Sequence, residues 1–297
     1  MIKGAIVQIT NACNLRCVSC NTYLASPEFM SWSEEDVINW RKKGFWYVSL
    51  TGGEPTLHPE LLPLLKTLKE YGFIVHLATN GTNIKKIKEA VPYLDAISIS
   101  LDADVPDVHD ALRGRNVFRH VIETARYVKG RVKVATINML VTDLNATNVT
   151  KMASYVNNQL GLPISLCFPF ASAYVYAHDF SVSKEKVRTA FKTAYDNYNR
   201  FVFGNTRRYY KECIDFIDGK KVSPCRAGKV IFYIDLYKKI HACFLRERYT
   251  KNCNMCFIQC FREPSIFAPG EQIALLWRIY RFGKKMGRYM PHELSGH

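Results

Sequence analysis

The sequence lacks the features that mark several protein classes. It has no apolar run approaching the about 18–20 residues of a membrane-spanning helix. It has no low-complexity segment, and no internal repeat beyond a strand–helix alternation. Residues 1–4 lead directly into an apolar strand, so we expect no signal peptide and a cytoplasmic location. The remaining composition, with 48% apolar and 23% charged residues, is typical of a globular protein.

Acidic residues are also scarce. The 41 lysines and arginines face only 26 aspartates and glutamates, which gives a formal net charge of +15. This excess favours an anionic partner, such as a phosphorylated substrate, a nucleic acid or an anionic membrane surface. A chain of 297 residues can bury a sizeable core, as one barrel-like α/β domain or as a domain with an appendage.

Apolar strands and amphipathic helices alternate over the first 170 residues. The predicted strands are 1–10, 46–50, 73–79, 96–101, 132–141 and 164–168, and the helices are 33–43, 59–71, 83–91, 116–129 and 146–160. Six such units predict a parallel sheet with helices outside it. Beyond residue 170 we predict helices over 183–203, 207–218 and 271–287 and a hairpin over 229–243.

Polar motifs follow four of these strands. A CxxxCxxC motif of Cys13, Cys17 and Cys20 follows the first strand, and Gly-Gly-Glu-Pro at residues 52–55 follows the second. Asn80 and Asp102 follow the third and fourth strands. In parallel β/α folds the chemistry lies on the loops after the carboxyl ends of the strands. We therefore expect all four features on one rim.

Eight of the ten cysteines fall into two groups, at residues 13–20 and 225–260. In a cytosolic enzyme of this size, clustered cysteines indicate metal binding more than disulfides. Three thiolates on one tight loop can hold three irons of a [4Fe–4S] cube and leave the fourth iron open. A zinc-bound loop is the structural alternative for the first group.

The CxxxCxxC, Gly-Gly-Glu-Pro and Ser100-Leu101-Asp102 motifs, in this order, resemble a radical S-adenosylmethionine (SAM) enzyme over residues 3–170. The resemblance implies that Cys13, Cys17 and Cys20 ligate the cluster and that SAM chelates the open iron. It implies reductive cleavage of SAM to a 5′-deoxyadenosyl radical, which abstracts a substrate hydrogen atom. The implied SAM-binding positions are Gly52, Gly53, Glu54, Pro55, Asn80, Ser100, Asp102, Arg113 and Asn138.

One position departs from the family pattern. Members often carry an aromatic residue before the third cysteine, where it packs on the adenine, and Ser19 stands there in this chain. We expect backbone or Tyr23 to serve instead. Tyr174, Tyr176 and His178, after the sixth strand, are candidate pocket residues, with loop packing as the alternative.

The second cysteine group resembles the twitch form of the SPASM extension, which carries one auxiliary [4Fe–4S] cluster. Its members are Cys225, Cys243, Cys253, Cys256 and Cys260. Five cysteines exceed the four that one cube uses, so which four are ligands stays open. Lys238 stands where a glycine is usual. A structural zinc site is the alternative.

The final predicted helix is amphipathic and basic. Its apolar stripe is Ile273, Leu276, Trp277 and Tyr280, and its basic face is Arg278, Arg281, Lys285 and Arg288. We expect the stripe to pack on the barrel. Contact with an anionic membrane surface and binding of nucleic acid phosphates are the alternatives, with nucleic acid the less favoured.

These observations predict an α/β enzyme with a partial, TIM-like (β/α)6 barrel and a small C-terminal twitch-like iron–sulfur domain. The expected divisions are residues 1–205, 206–268 and 269–297. The expected outcome is oxidation or radical modification of a peptide, sugar or other metabolite, with electrons from a flavodoxin- or ferredoxin-type protein. A membrane-lipid substrate is the alternative, and so is a non-catalytic iron–sulfur or zinc protein for electron transfer or scaffolding.

Overall fold

The computed structural model describes residues 3–169, 181–245, 253–254, 256–266 and 269–286. The candidate pocket residues Tyr174, Tyr176 and His178 lie outside these ranges. The described strands are β1 (Lys3–Thr10), β2 (Phe45–Gly52), β3 (Ile74–Thr79), β4 (Ala96–Ser100), β5 (Val134–Leu140), β6 (Ile164–Cys167), β7 (Ile231–Ile234) and β8 (Ile240–His241). They form one sheet in the order β6-β5-β4-β3-β2-β1-β7-β8.

The first six predicted strands are all present, and the helices between them lie where the alternation predicts. The helices are α1 (Glu34–Lys42), α2 (Leu61–Glu70), α3 (Ile84–Ala90), α4 (Pro106–Arg113), α5 (Val117–Val128), α6 (Val149–Tyr155), α7 (Lys184–Asp196), α8 (Arg207–Ile217), α9 (Gln259–Ile266) and α10 (Pro269–Lys285). The pattern missed α4 and α9. Both are eight residues long, and α9 contains Pro264, a residue that disfavours a helix interior.

The sheet has one apolar and one polar face. On β1, Ala5, Val7 and Ile9 are completely buried in the main hydrophobic core. The other face of β1 carries Gln8, which pairs in register with Thr51 of β2. Such alternation places the core between sheet and helices and turns polar side chains to the interior of the curved sheet.

All neighbouring strands from β6 to β7 are parallel, and only β8 runs antiparallel, to β7. Among the described residues the edge strands β6 and β8 do not pair, so the sheet is an open barrel. The predicted partial barrel is confirmed. The hairpin extends this same sheet, because β7 pairs with β1.

The final helix, α10, packs with a different face from the expected one. Leu275 and Ile279 are buried, and Arg278 donates hydrogen bonds to the carbonyls of Tyr198 and Phe201. The predicted stripe is 40–69% exposed: Ile273, Leu276, Trp277 and Tyr280. The expectation that this stripe packs on the barrel is wrong, because the helix has a second apolar side. No helix among the described residues has the length and hydrophobicity to cross a bilayer.

Candidate active site

The first cysteine group lies on the loop that follows β1. Its backbone is fixed within the loop by Cys20 N–H donating to Cys17 O (3.1 Å), and from outside by Val18 N–H donating to Leu112 O at 3.0 Å. The thiols of Cys13, Cys17 and Cys20 are all free and partly buried. The loop thus presents three cysteines from a backbone held on two sides.

The electrostatics of these thiols suit a metal cluster. Burial raises the pKa of Cys13 to about 11, and Glu54 and the other two cysteines add to the rise. Three thiolates this close repel one another unless a cation compensates them. Among the described residues no three His, Cys, Asp or Glu side chains converge on one ion position. A cube takes each thiolate on a different iron and requires no such convergence, so the donor set fits it.

The backbone of the Gly-Gly-Glu-Pro loop contacts the backbone at the start of the cysteine loop. Gly53 N–H donates to Thr10 O (2.8 Å) and Glu54 N–H donates to Ala12 O (2.7 Å). A Cβ added at Gly52 would lie 2.1 Å from Thr10 O, and one at Gly53 would lie 2.2 Å from Ala12 O. Both positions therefore need glycine for backbone-to-backbone contact, a reason additional to the approach of a ligand.

Glu54 joins two strand ends. Its Oε1 accepts from Thr56 N–H (3.1 Å), Thr56 Oγ1 (2.7 Å) and Thr79 Oγ1 (2.7 Å), and its Oε2 accepts from Asn80 N–H at 2.7 Å. The side chain is completely buried. Burial raises its pKa, while these hydrogen bonds act in the opposite direction. Glu54 thereby ties the loop after β2 to the end of β3.

Asn80 connects the end of β3 to the cysteine loop. Its Nδ2 donates to Asn14 Oδ1 at 2.9 Å, and its Oδ1 accepts from Thr82 Oγ1 at 2.7 Å. Asn14 Nδ2 donates in turn to Thr82 Oγ1 at 2.8 Å. Asn14 was not predicted as a site residue, although its place inside the cysteine motif was the signal that could have identified it.

Asp102 and Arg113 form an ion pair on the opposite side of the cysteine loop. Arg113 donates from Nε to Oδ2 (2.6 Å) and from Nη2 to Oδ1 (3.3 Å), and Leu140 N–H donates to Oδ1 at 2.8 Å. Burial alone would lower the pKa of Arg113, but Asp102 and the Cys17 thiol more than offset it, so the pKa is raised. The pair brings a nearly neutral, rigid group beside Cys17.

Ser100 and Asn138 lie opposite each other in register on β4 and β5. The interior of the open barrel continues this polar wall with Gln8, Ser49, Ser98, Ser165 and Tyr233, which are all buried. His76, on the neighbouring strand, makes a 2.7 Å hydrogen bond between its Nδ1 and Ser49 Oγ. The barrel interior can therefore accept a polar ligand.

The second cysteine group lies beside the hairpin. Cys225, Cys243 and Cys256 belong to a separate buried cluster with Ile231, Tyr233 and Phe261. The backbone N–H of Cys225 donates to the carbonyl of Cys253 at 3.2 Å. Cys260 differs, because it is exposed on α9. Solvent exposure thus distinguishes Cys260 from the buried Cys225, Cys243 and Cys256.

Electrostatics connect all five thiols. Burial raises the pKa of Cys243 to about 12, and the thiols of Cys256, Cys225 and Cys253 add to the rise. The pKa of Cys260 is raised as well, by the atoms packed around its thiol and by Cys243, Cys167 and Cys256, so electrostatics do not separate Cys260 from the other four. Next to Cys260, the Gln259 Oε1 accepts a 2.9 Å hydrogen bond from Cys167 Sγ at the end of β6. The start of α9 is thereby tied to the barrel rim.

The sequence model of the radical SAM superfamily matches residues 7–156, the segment that contains the cysteine loop and the strand-end contacts described above. The chain belongs to the radical SAM superfamily. Enzymes of this superfamily use a [4Fe–4S] cluster and SAM, and they need a reductant and a substrate. The resemblance seen in the sequence is therefore confirmed, as is the expectation of an enzyme.

Several curated relatives of this radical SAM chain are named GTP 3′,8-cyclase or probable GTP 3′,8-cyclase. The chain is 36% identical over 124 residues to the probable GTP 3′,8-cyclase of Saccharolobus solfataricus, and this match covers 39% of the chain and 40% of that relative. The chain is also 24% identical over 306 residues to the GTP 3′,8-cyclase of Streptomyces coelicolor, and this match covers 95% of the chain and 86% of that relative. The matches to archaeal relatives span about half of their length, from 40% to 52%.

Solved structures share the fold. Streptococcus suis SuiB bound to S-adenosylmethionine superposes with a TM-score of 0.62 at 20% identity, covering 84% of this radical SAM chain and 63% of SuiB. The structure of anSMEcpe with bound AdoMet and a peptide superposes with a TM-score of 0.61 at 18% identity, covering 95% of this chain and 82% of anSMEcpe. These likenesses extend the shared architecture beyond the matched segment.

The individual SAM-binding positions in this radical SAM chain remain predictions. The structure gathers Gly52, Gly53, Asn80, Asp102 and Arg113 around the cysteine loop. Ser19 is buried, and Tyr23 is partly buried with the Arg16 guanidinium 6.0 Å from its ring centroid. His109 was missed as a partner of Asp102, and its Nδ1 accepts from Asp102 N–H at 3.1 Å.

Proposed function

We propose that this enzyme cleaves SAM reductively and uses the 5′-deoxyadenosyl radical to remove a hydrogen atom from an anionic metabolite. The product would be an oxidised or otherwise radical-modified substrate. Cys13, Cys17 and Cys20 would hold the [4Fe–4S] cluster that supplies the electron when bound. The polar barrel interior, lined by Ser49 and His76, would hold the substrate.

One observation carries this proposal. The cysteine loop is fixed by backbone hydrogen bonds to the Gly-Gly-Glu-Pro loop on one side and to Leu112 on the other. A site built on such paired strand ends keeps its thiols in place before any ligand arrives, which lowers the cost of binding. An electron-transfer protein does not need a second loop at this position, so the contact favours an enzyme.

The SAM-binding roles follow from the same placement. Glu54 has both oxygens engaged with protein donors, so we infer that it orients the loop as well as facing the SAM ammonium. Gly52, Gly53 and Pro55 would offer backbone at the amino group, and Arg113 would face the SAM carboxylate. Asn80, Ser100, Asp102 and Asn138 would surround the ribose and methionine.

A nucleoside triphosphate is the first substrate to test. The curated relatives are named for cyclisation of GTP, and the net charge of +15 suits a triphosphate. Peptides and sugars come after it. We would incubate the anaerobically reconstituted enzyme with dithionite, SAM and GTP deuterated throughout its ribose. Deuterium in 5′-deoxyadenosine would support GTP, and unlabelled 5′-deoxyadenosine would redirect the search to other substrates. Absence of any 5′-deoxyadenosine would defeat the enzyme proposal.

We further propose that Cys225, Cys243, Cys253 and Cys256 hold an auxiliary [4Fe–4S] cluster in a twitch-like module within residues 206–268. Cys225, Cys243 and Cys256 are buried and Cys253 is partly buried, and the pKa of Cys243 is raised by burial and by the other three thiols, which supports the assignment. Two cubes predict about eight irons per chain, whereas about four irons with one zinc would favour the zinc alternative. Metal analysis of the reconstituted chain separates the two.

A membrane lipid is the second candidate substrate, and the exposed stripe of α10 favours it. Trp277 and Tyr280 stack with ring centroids 5.6 Å apart, and Arg281, Lys284 and Lys285 are exposed on the same helix. Aromatic and aliphatic side chains beside basic ones are typical of helices that lie on anionic bilayers. A cytoplasmic enzyme bound peripherally would then reach its substrate at the membrane surface.

Vesicle sedimentation tests this surface. The full chain should sediment with phosphatidylglycerol vesicles and not with phosphatidylcholine vesicles, and Trp277→Glu should lose most of that binding. Trp46→Glu is the matched control, because Trp46 is also exposed but lies on β2. Equal binding by both variants, or none by the wild type, would remove the membrane proposal.

The proposal includes a flavodoxin- or ferredoxin-type electron donor. The net positive charge of the chain suits an acidic redox partner. Replacement of dithionite by a reduced flavodoxin should sustain 5′-deoxyadenosine formation at low ionic strength. The rate should fall as salt screens the encounter. A salt-independent rate would contradict an electrostatically guided encounter.

A further inference from the structure

Arg262 is the least satisfied charged group in the described part of the chain. Its side chain is completely buried on α9. Among the described residues, its Nε and Nη2 have no hydrogen-bond partner. Only Nη1 is engaged, donating to Asn254 Oδ1 at 3.1 Å. A buried guanidinium is costly unless its donors are satisfied, and orphaned buried donors are rare enough to need an explanation.

The nearby carboxylates compensate this charge only in part. Glu212 Oε2 lies 4.0 Å from Arg262 Nη2, which makes an ion pair beyond hydrogen-bond distance. Glu212 also accepts from Arg208 Nε (3.1 Å) and from Ser223 Oγ (2.6 Å). Glu263 is turned toward Asn205, and burial raises its pKa to about 7. Arg262 therefore has one long ion pair, shared with Arg208, and its Nε and Nη2 stay without a hydrogen-bond partner among the described residues.

The Arg262 guanidinium lies beside the second cysteine group. Asn254, its hydrogen-bond partner among the described residues, follows Cys253 and precedes Cys256 by two residues. The guanidinium carbon lies 4.5 Å from the centroid of Phe257, so the charge is held in an apolar environment where its field is weakly screened.

We propose that Arg262 is the electrostatic counterpart of the cluster held by Cys225, Cys243, Cys253 and Cys256, and that it raises the reduction potential of that cluster. The inference rests on the proposed auxiliary cluster. Four thiolates and a cube carry net negative charge, and one-electron reduction adds one more. A fixed, buried cation stabilises the reduced form more than the oxidised form, and net charge and hydrogen bonds are known determinants of such potentials.

The test isolates the second cluster. In the full chain, Cys13, Cys17 and Cys20 are replaced by alanine so that only the auxiliary cluster remains. About four irons should then be present, and their midpoint potential is measured by dye-mediated titration with electron paramagnetic resonance. Arg262→Gln should lower the reduced-to-oxidised ratio at a fixed potential about tenfold, which is about 59 mV for one electron.

Two further variants provide a second test of the charge effect and a control. Glu212→Gln removes the nearest carboxylate and should raise the potential, even if Arg262→Gln proves insoluble. Arg188→Gln is the control. Arg188 lies on α7, away from the cysteines, and pairs with Asp218, so this variant should leave the potential unchanged. Full iron content with unshifted potentials in Arg262→Gln and Glu212→Gln would overturn the role of Arg262. An iron-free triple variant would overturn the auxiliary cluster itself, and this inference with it.

Discussion

Cys17 lies on a loop whose backbone is held by neighbouring strand ends, whereas Cys243 lies in an apolar cluster assembled from separate segments of the chain. Beside Cys17, Asp102 and Arg113 form a close ion pair. Beside the second group, Arg262 has two donors without a hydrogen-bond partner among the described residues, and its ion pair with Glu212 is long, at 4.0 Å. The first region is a preformed polar platform, and the second depends on its contents for its charge balance.

The difference also concerns how each region is assembled. The first group lies within eight consecutive residues that follow β1. Backbone groups from the loop after β2 and from α4 hydrogen-bond to this segment and to the residues just before it. The second group is spread from residue 225 to residue 256, beside a hairpin that joins the far side of β1. We therefore expect damage to the first region to abolish chemistry and damage to the second to change metal content and potential.

The largest expected effect comes from the first region. Cys17→Ala should reduce 5′-deoxyadenosine formation to background, because two remaining thiolates cannot hold the cube for SAM. Cys213→Ala serves as the control, since Cys213 is a buried thiol away from both groups. Product analysis after reduction with dithionite and SAM measures the effect. Retained activity in Cys17→Ala would remove the distinction between the two regions.

The second prediction separates Cys256 from Cys260. Cys256→Ala should lose about half of the iron, since one cube of about four irons depends on it. Cys260→Ala should keep the full iron content because this thiol is exposed on α9. Metal analysis of both variants decides which cysteine is a ligand, and the reverse result would reassign the fifth cysteine.

Gly53→Ala tests the contact between the two loops of the first region. Its Cβ would lie 2.2 Å from Ala12 O, so the strands must separate, at a cost of about 1–3 kcal/mol in unfolding free energy. Gly270→Ala is the control, with no atom within 4 Å of its added Cβ. Urea unfolding of both variants measures the difference. Equal midpoints would show that the close approach is dispensable.

The last expected difference, no larger than that of Gly53→Ala, is an opposite pH dependence of stability in the two regions. Burial lowers the pKa of His109 to about 4 from 6.5. Its contribution to stability is present above pH 6.5 and lost as the pH falls toward 4. Burial raises the pKa of Glu263 from 4.5 to about 7. Its contribution is present below pH 4.5 and lost as the pH rises through 7.

Unfolding free energies measured from pH 4.5 to 8 in the wild type, His109→Asn and Glu263→Gln test these signs. His109→Asn should flatten the acidic side of the stability profile and Glu263→Gln the neutral side, each by on the order of 1–3 kcal/mol. Profiles with unchanged slopes on both sides would show that neither burial penalty operates.

The sequence predicted the rim because apolar strands and amphipathic helices repeat at regular intervals. That regularity places Cys13, Glu54, Asn80 and Asp102 at neighbouring strand ends without any knowledge of contacts. The partners of Glu54 were beyond prediction, since Thr79 lies 25 residues away and only the packed sheet brings the two together. The glycine contacts with the cysteine loop have the same long-range origin.

Two features show where periodicity stops being informative. The helix α10 has an apolar stripe through Trp277 and a second apolar side through Leu275 and Ile279, and the sequence alone does not say which packs. Cys260 continues the spacing of Cys253 and Cys256, yet it is exposed, whereas Cys256 is buried and Cys253 is partly buried. Both outcomes depend on tertiary packing.

The pairing of β7 with β1 covers an edge of the sheet that a C-terminally truncated chain would expose. Gly4 N–H donates to Val230 O at 2.8 Å, and residues 4–7 pair in register with 231–234. A chain cut before residue 225 would leave β1, an apolar strand, as a bare edge, and such edges recruit other chains. The C-terminal segment thus acts as a built-in guard against self-association, so shortened versions should aggregate.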